Sequence, residues 1–306
     1  MSWITNDDTI IFDVKFDEEL NIELLSNYKK IIFSDYETNE KIFECYSNYE
    51  TNKKIFECYS NNDFNDFNDF NDLEYKGSIF NRDISKLPSS VIELILGCSF
   101  NQDVSNLPPT LNLIEFGMCF NQNVSNLASN LKYLTFGHSF NQEVSNLPYS
   151  LTHLTFGIDF NKDVSYLPPF LTHLIFGYDF NQDVSNLPPN LTHLTLGYEF
   201  NQDISKLPSN LTHLKLGHEF NKQCDIPPSV KYLILNCNNQ YTINSLPNSI
   251  IELELGSENC SNLELNNLPT SIKKIVIKDN YWFNSDLNCL PDFVEELRLN
   301  FNYRKR

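Results

Sequence analysis

Four histidines recur at intervals of 20 residues, each inside the tripeptide Thr-His-Leu: His153, His173, His193 and His213. Imidazole changes its charge near neutral pH and is a common metal ligand. Such a row could serve a metal ion, a phosphate group or, once protonated, an acidic partner. The simpler alternative is that Thr-His-Leu is a well-copied part of a duplicated unit. A straight row of ligands also does not make a tetrahedral metal site, so we expect no metal here.

A 20-residue repeat positions these histidines. Phenylalanine followed by asparagine recurs every 20 residues from Phe80 to Phe220. Counting phenylalanine as position 1, the unit at 180–199 (FNQDVSNLPPNLTHLTLGYE) has leucines at positions 8, 12, 15 and 17 and its histidine at position 14. Beyond Phe220 the spacing loosens, but the leucine pattern continues to Leu299 and gives about eleven units. One short strand cannot bury its apolar face alone, so the units must stack.

The alternation within each unit predicts a strand whose positions 15 and 17 point inward while positions 14 and 16 point outward. The prolines at positions 9 and 10 favour extended backbone and leave little room for helix. Glycine at position 18 predicts a turn with positive φ. The expected fold is a mainly-β parallel solenoid of about 20–22-residue units with little helix. Its predicted strands are 92–96, 112–116, 132–136, 152–156, 172–176, 192–196, 212–216, 231–235, 251–255, 273–277 and 295–299.

The spacing L-x-x-L-x-L resembles the leucine-rich repeat. The L-P-x-x-L lead-in and the following F-N resemble the FNIP repeat in particular, known from social amoebae and amoeba-infecting giant viruses. The resemblance implies a curved, parallel-stranded solenoid with a binding face. Some FNIP-repeat proteins also carry an amino-terminal F-box, which docks to a ubiquitin-ligase scaffold. Residues before Phe80 show no convincing F-box match, so a substrate-recognition adaptor for ubiquitin ligation is the alternative function.

Two parts of the chain differ in composition, since all 14 prolines lie at or beyond Pro88. We expect an acidic amino-terminal capping segment at 1–79 and the repeat solenoid at 80–306. Within the first part, Thr9–Phe16 and Tyr28–Phe33 are predicted strands that begin the sheet and cap its end. The tandem copies at 36–61 and the Phe-Asn-Asp tract that follows them predict a mobile acidic loop.

Charge and composition exclude several classes of function. A net charge of −18 repels nucleic acid and anionic lipid, and no apolar run reaches the roughly 18–20 residues of a membrane helix. Eight cysteines without a C-x-x-C pair indicate reduced thiols and a cytoplasmic protein. No nucleotide-binding, zinc-protease or serine-hydrolase motif occurs, so neither a cofactor nor enzymatic activity is expected.

Outward positions 14 and 16 vary in character along the stack, whereas core positions 15 and 17 keep their apolar character. In the middle units they form a band of His, Tyr, Thr and Ile, which is typical of a protein-contact surface. A solvated sheet face carrying β-formers is an equal alternative. We predict a non-enzymatic scaffold that binds a protein partner through its concave sheet face, with exposed histidines that protonate between pH 7 and 5 and then favour an acidic partner. The predicted contact residues are Tyr133, His153, His173, His193, His213, Tyr232, Thr155 and Thr195.

Overall fold

The computed structural model describes residues 3–13, 15–34, 78–256, 263–278 and 290–300. The chain divides into two compact units, Met1–Phe160 and Asn161–Arg306, and each is considered by itself below. The duplicated segment at 36–61, which the sequence predicts to be a mobile loop, lies outside the described residues.

Seven strands and one short helix make up the described part of the first unit. Strands β1 and β2 pair antiparallel, and each later pairing along the chain is parallel. The elements are β1 (Trp3–Asn6), β2 (Thr9–Phe12), α1 (Ile22–Leu25), β3 (Lys30–Phe33), β4 (Glu93–Ile95), β5 (Leu113–Glu115), β6 (Tyr133–Thr135) and β7 (His153–Thr155).

The described part of the second unit is an entirely parallel array of seven strands with one short helix. Its elements are β8 (His173–Ile175), β9 (His193–Thr195), β10 (His213–Leu216), β11 (Tyr232–Leu235), α2 (Gln240–Asn244), β12 (Glu252–Leu255), β13 (Lys274–Lys278) and β14 (Glu296–Asn300). All the strands predicted from the repeat are present, and the two helices span only 4 and 5 residues. The predicted parallel β-solenoid is confirmed.

The amino-terminal segment begins the sheet, as its apolar runs predict. β2 and β3 pair parallel with each other, and β3 pairs with β4, the first strand of the repeat region. β1 was not predicted. It forms a hairpin with β2 through a turn in which Asp7 has φ 41°, a conformation that Asp tolerates better than most residues.

Phenylalanine at position 1 forms a buried spine. In the first unit, the ring centroids of successive residues from Phe80 to Phe160 lie 6.1 to 6.3 Å apart. Where position 17 is also phenylalanine, its ring stacks on the next spine residue, as Phe116 does on Phe120 at 3.7 Å. These rings are at most 2% exposed. The core is therefore a set of columns in which each side chain packs on its equivalent in the next turn.

Asparagine at position 2 forms a second column. The backbone N–H of Asn201 donates to Oδ1 of Asn181 at 2.9 Å, and Nε2 of Gln202 donates to the same oxygen at 2.9 Å. The same contact joins Asn121 to Asn101 in the first unit, at 2.9 Å. Each asparagine thus satisfies a backbone N–H of the next turn, at a point where the loop has no strand partner.

Glycine at position 18 acts by a different mechanism from the one predicted. Among the described residues, no glycine has a positive φ. Instead, a Cβ built on Gly117 would overlap the carbonyl oxygen of Gly97, and one built on Gly197 would overlap that of Gly177. Glycine is needed because the backbones of successive turns approach too closely there for any side chain.

Replacing Gly197 with alanine tests this close approach. Gly197→Ala should lower the free energy of unfolding by about 1–3 kcal/mol, because the turns must move apart to admit the Cβ. Urea denaturation measures the effect. Glu199→Ala, an exposed substitution in the same turn, should change stability by less than about 0.5 kcal/mol. An alanine variant as stable as wild type would show that the turns are not in tight contact.

The asparagine column makes a separate prediction. Asn181→Ala removes the acceptor for Asn201 N–H and should destabilise by about 1–3 kcal/mol. Asn181→Asp keeps an acceptor oxygen and should therefore lose less stability than Asn181→Ala. Asn186→Ala, an exposed substitution in the same turn, is the control. Equal denaturation midpoints for the Asn181→Ala variant and the control would contradict a structural role for the column.

Candidate interaction face of the sheet

The outward residues at position 14 stack ring on ring in the second unit. Ring centroids are 4.1 Å apart for His173 and His193, 3.9 Å for His193 and His213, and 4.3 Å for His213 and Tyr232. The planes of neighbouring rings are within 12–14° of parallel. We call these four residues the histidine stack. It arises because parallel strands hold equivalent side chains side by side, about 4.8 Å apart.

In the first unit, Tyr133 and His153, which also occupy position 14, form a looser pair. Their ring centroids are 4.7 Å apart and their planes are tilted by 42°. The structure therefore brings six of the eight predicted contact residues into ring contacts, two in the first unit and four in the second. Tyr232 is the most exposed of the six, at 38%.

Each unit also carries an ion pair between neighbouring strands. In the first unit, Lys30 Nζ lies 3.1 Å from a carboxylate oxygen of Glu93. In the second unit, Lys274 Nζ lies 2.6 Å from Glu252. Each pair joins position 14 of neighbouring strands, so the charges there are largely neutralised within the sheet.

Threonine at position 13 fixes the orientation of the imidazoles. Oγ1 of Thr192 lies 2.9 Å from Nδ1 of His193 and 3.1 Å from the carbonyl oxygen of Thr172. Thr212 repeats both contacts, at 2.8 Å from Nδ1 of His213 and 3.1 Å from the Thr192 carbonyl oxygen. Sequence reasoning missed these threonines, although their constant place before each histidine was a usable signal.

These distances determine where the imidazole proton resides. A carbonyl oxygen can only accept, so the single hydroxyl proton of Thr192 goes to the carbonyl. Nδ1 of His193 must then carry a proton and donate it to the hydroxyl oxygen. Nε2 of the neutral ring is left with a lone pair. The same argument holds for His213 and, in the first unit, for His153 beside Thr152, whose hydroxyl lies 3.2 Å from the Lys132 carbonyl oxygen.

The stack also disfavours the charged form of its histidines. Burial lowers the pKa of His193 to about 3, and repulsion from His173 and His213 contributes to the shift. Burial lowers the pKa of His213 as well, against an opposing effect of Glu252. The prediction that these rings gain charge between pH 7 and 5 is therefore wrong for His193, and the lowered pKa of His213 opposes it. A charge on a half-buried ring inside a stack would lose hydration and repel its neighbours.

Position 16 is less accessible than predicted. Thr155 is only 2% exposed, so its prediction as a partner-contact residue is corrected. Thr195 is half-buried, and most of its equivalents are buried, including the aliphatic stem of Lys215.

A second stack, which sequence reasoning did not detect, follows the strands of the second unit at position 19. Tyr178 and Tyr198 lie 4.4 Å apart, and Tyr198 and His218 lie 4.3 Å apart. Burial raises the pKa of Tyr178 and of Tyr198, and the carboxylates of Glu199 and Glu219 raise both further. This end of the strands therefore has a negative potential.

The described residues contain no cluster that fits a metal ion and no helix long and apolar enough to cross a membrane. The four cysteines among these residues form no disulfide with one another, and burial raises the pKa of Cys237 to about 12, which keeps that thiol protonated. A cavity of about 760 Å³ in the second unit contains Asp203 and Asp225. Ser205 N–H donates to Asp203, and the Tyr241 hydroxyl contacts Asp225, so both carboxylates have structural partners.

The protonation of the stack makes stability depend on pH. The pKa of His193 is about 3 in the folded chain against an ordinary value of 6.5, so the unfolded chain binds more protons below pH 6.5. The contribution of the neutral His193 ring to the free energy of unfolding is complete above pH 6.5 and is lost as the pH falls toward 3. His193→Phe should reduce the decrease in melting temperature between pH 7 and 5. Tyr232→Phe, the control, should leave this decrease unchanged. If the melting temperature fell equally with pH in wild type and in His193→Phe, the low pKa of His193 would be contradicted.

Comparisons with known proteins agree with this architecture. No curated protein matches the sequence significantly. The family model described as FNIP Repeat matches residues 80–119, 120–159, 183–217 and 222–258. The crystal structure of CroV588, a giant-virus protein described as a novel circular LRR protein, is 41% identical with a TM-score of 0.62. The match covers 74% of this chain but only 36% of CroV588. The tandem matches and the stacked 20-residue turns together place this chain among the FNIP-repeat proteins.

Proposed function

We propose that the chain is a non-enzymatic scaffold that binds a protein partner on the sheet face carrying positions 14 and 16. The observation that carries this proposal is the histidine stack, an ordered aromatic surface in the second unit next to the ion-paired strands β12 and β13. Repeat solenoids typically act as interaction scaffolds, since stacking produces a long continuous surface.

The physical character of the stack supports a binding role. Tyrosine is enriched at the energetic centres of protein interfaces. Rings held by their neighbours and by threonine hydroxyls have little side-chain freedom left to lose, so binding costs less conformational entropy. The ion pair of Lys274 with Glu252, on the strands that follow Tyr232, resembles part of the polar rim that surrounds such a centre.

The class and location of the partner follow from charge and thiol chemistry. A chain with net charge −18 disfavours nucleic acid, which leaves protein as the partner class. Free cysteines suit a reducing compartment, and we place the scaffold in the cytoplasm. The adaptor role in ubiquitin ligation stays a prediction, because it would depend on residues before 80 that lie largely outside the described ones.

A selection from a displayed library of random peptides tests the binding face. Peptides that bind the 306-residue chain should bind Tyr232→Ala about tenfold more weakly, because that residue is the exposed end of the stack. Tyr166→Ala is the matched control, since Tyr166 is 71% exposed on a loop away from the sheet face. Circular dichroism and melting temperature check that both variants are folded. Binders that lose affinity for Tyr166→Ala and retain it for Tyr232→Ala would place the site on the loops and overturn the proposal.

A further inference from the structure

We infer that the histidine stack recognises a basic segment of its partner, one whose arginine or lysine side chains donate hydrogen bonds to Nε2 of His193 and His213. The inference rests on the proposed function and specifies the chemistry of the partner. It reverses the expectation from sequence, which was an acidic partner.

The first step of the argument is the direction of hydrogen bonding. The threonine contacts place the proton of each imidazole on Nδ1, which faces Thr192 in one case and Thr212 in the other. Nε2 is then an acceptor. In the part of the chain that the structure describes, neither Nε2 has a hydrogen-bond donor, and neither is among the buried atoms that lack a partner. Both atoms therefore remain accessible to a donor from outside.

The second step is the choice among possible donors. Arginine and lysine carry donors only, so they match the two Nε2 atoms, which are acceptors. The uncharged rings offer no positive charge to repel them. Beyond the ends of the same strands lie the carboxylates of Asp179, Glu199 and Glu219, which raise the pKa of Tyr178. The net charge of −18 would also favour the approach of a basic segment.

The third step excludes the competing ligands. A carboxylate facing an unprotonated Nε2 brings two acceptors together, which is repulsive, and protonation is opposed by burial. A single metal ion needs nitrogen lone pairs that converge on one point. The rings of His193 and His213 are nearly parallel, with planes 14° apart, so their lone pairs point the same way.

Binding of a basic segment should therefore not strengthen on acidification. The titratable or charged groups that face the two histidines from their own and neighbouring strands are His173, Tyr232, Lys215 and, one strand further, Glu252. Lys215 is only 7% exposed, so solvent reaches little of it, and Glu252 is paired with Lys274.

Fluorescence anisotropy with three labelled peptides tests the inference on the full chain. In the first peptide arginine alternates with serine, and in the others glutamate or asparagine replaces arginine. The key variant is His193→Phe combined with His213→Phe, which keeps stacked rings and removes both Nε2 acceptors. His218→Phe makes the same substitution in the other stack and serves as the control. Measurements at about 0.15 M salt reduce non-specific attraction to the acidic chain.

The arginine peptide should bind wild type and the His218→Phe control equally, and should bind the double variant about tenfold more weakly. Its affinity should not increase between pH 7.5 and 5.5. Tighter binding of the glutamate peptide, or equal binding of the arginine peptide to wild type and the double variant, would overturn the inference. If selected peptides still depended on Tyr232, the proposed function would survive that result. If the selected peptides did not depend on Tyr232, the proposed function and this inference would both fail.

Discussion

The close approach of successive turns at position 18 is the constraint on which the rest of this structure depends. Parallel strands bring equivalent residues to about 4.8 Å from one another, and the glycines remove the side chain that would force the turns apart. Each residue then lies beside its own equivalent 20 positions earlier. Any side chain used in every unit is consequently repeated as a column, whether it faces the core, the loops or the solvent.

Columns of different side chains have different energetic consequences. Phenylalanine columns bury large apolar rings, and the asparagine column satisfies backbone donors that have no strand partner. A column of ionisable groups is different, because adjacent equivalents carry the same charge. The chain avoids this cost in two ways. Beyond the stack in the second unit it alternates charges, as in Glu252 and Lys274, and within the stack it uses histidines that remain neutral.

The strands and the core could be predicted from sequence because their signals are periodic. Leucine at positions 15 and 17 alternates with polar residues, and this pattern specifies a strand and the face it buries. β1 was missed because Trp3–Asn6 has no copy elsewhere in the chain. The recurrence of glycine at position 18 from Gly97 to Gly217 indicates that a Cβ is disfavoured there, but not whether a torsion angle or a neighbouring backbone is the cause. Only the distance between Gly197 and Gly177 separates these two mechanisms.

The chemistry of the sheet face could be predicted only in part, because it depends on contacts between turns. Sequence places His193 beside its equivalents, which is enough to predict a row. Its protonation depends on how far the ring is buried and on the proton of Thr192, neither of which is encoded in spacing. The threonine hydroxyl donates to a carbonyl of the previous turn, so the imidazole tautomer is a consequence of stacking and not of the histidine itself. The repeat that builds the core thereby also determines which hydrogen-bonding groups the face offers to a partner.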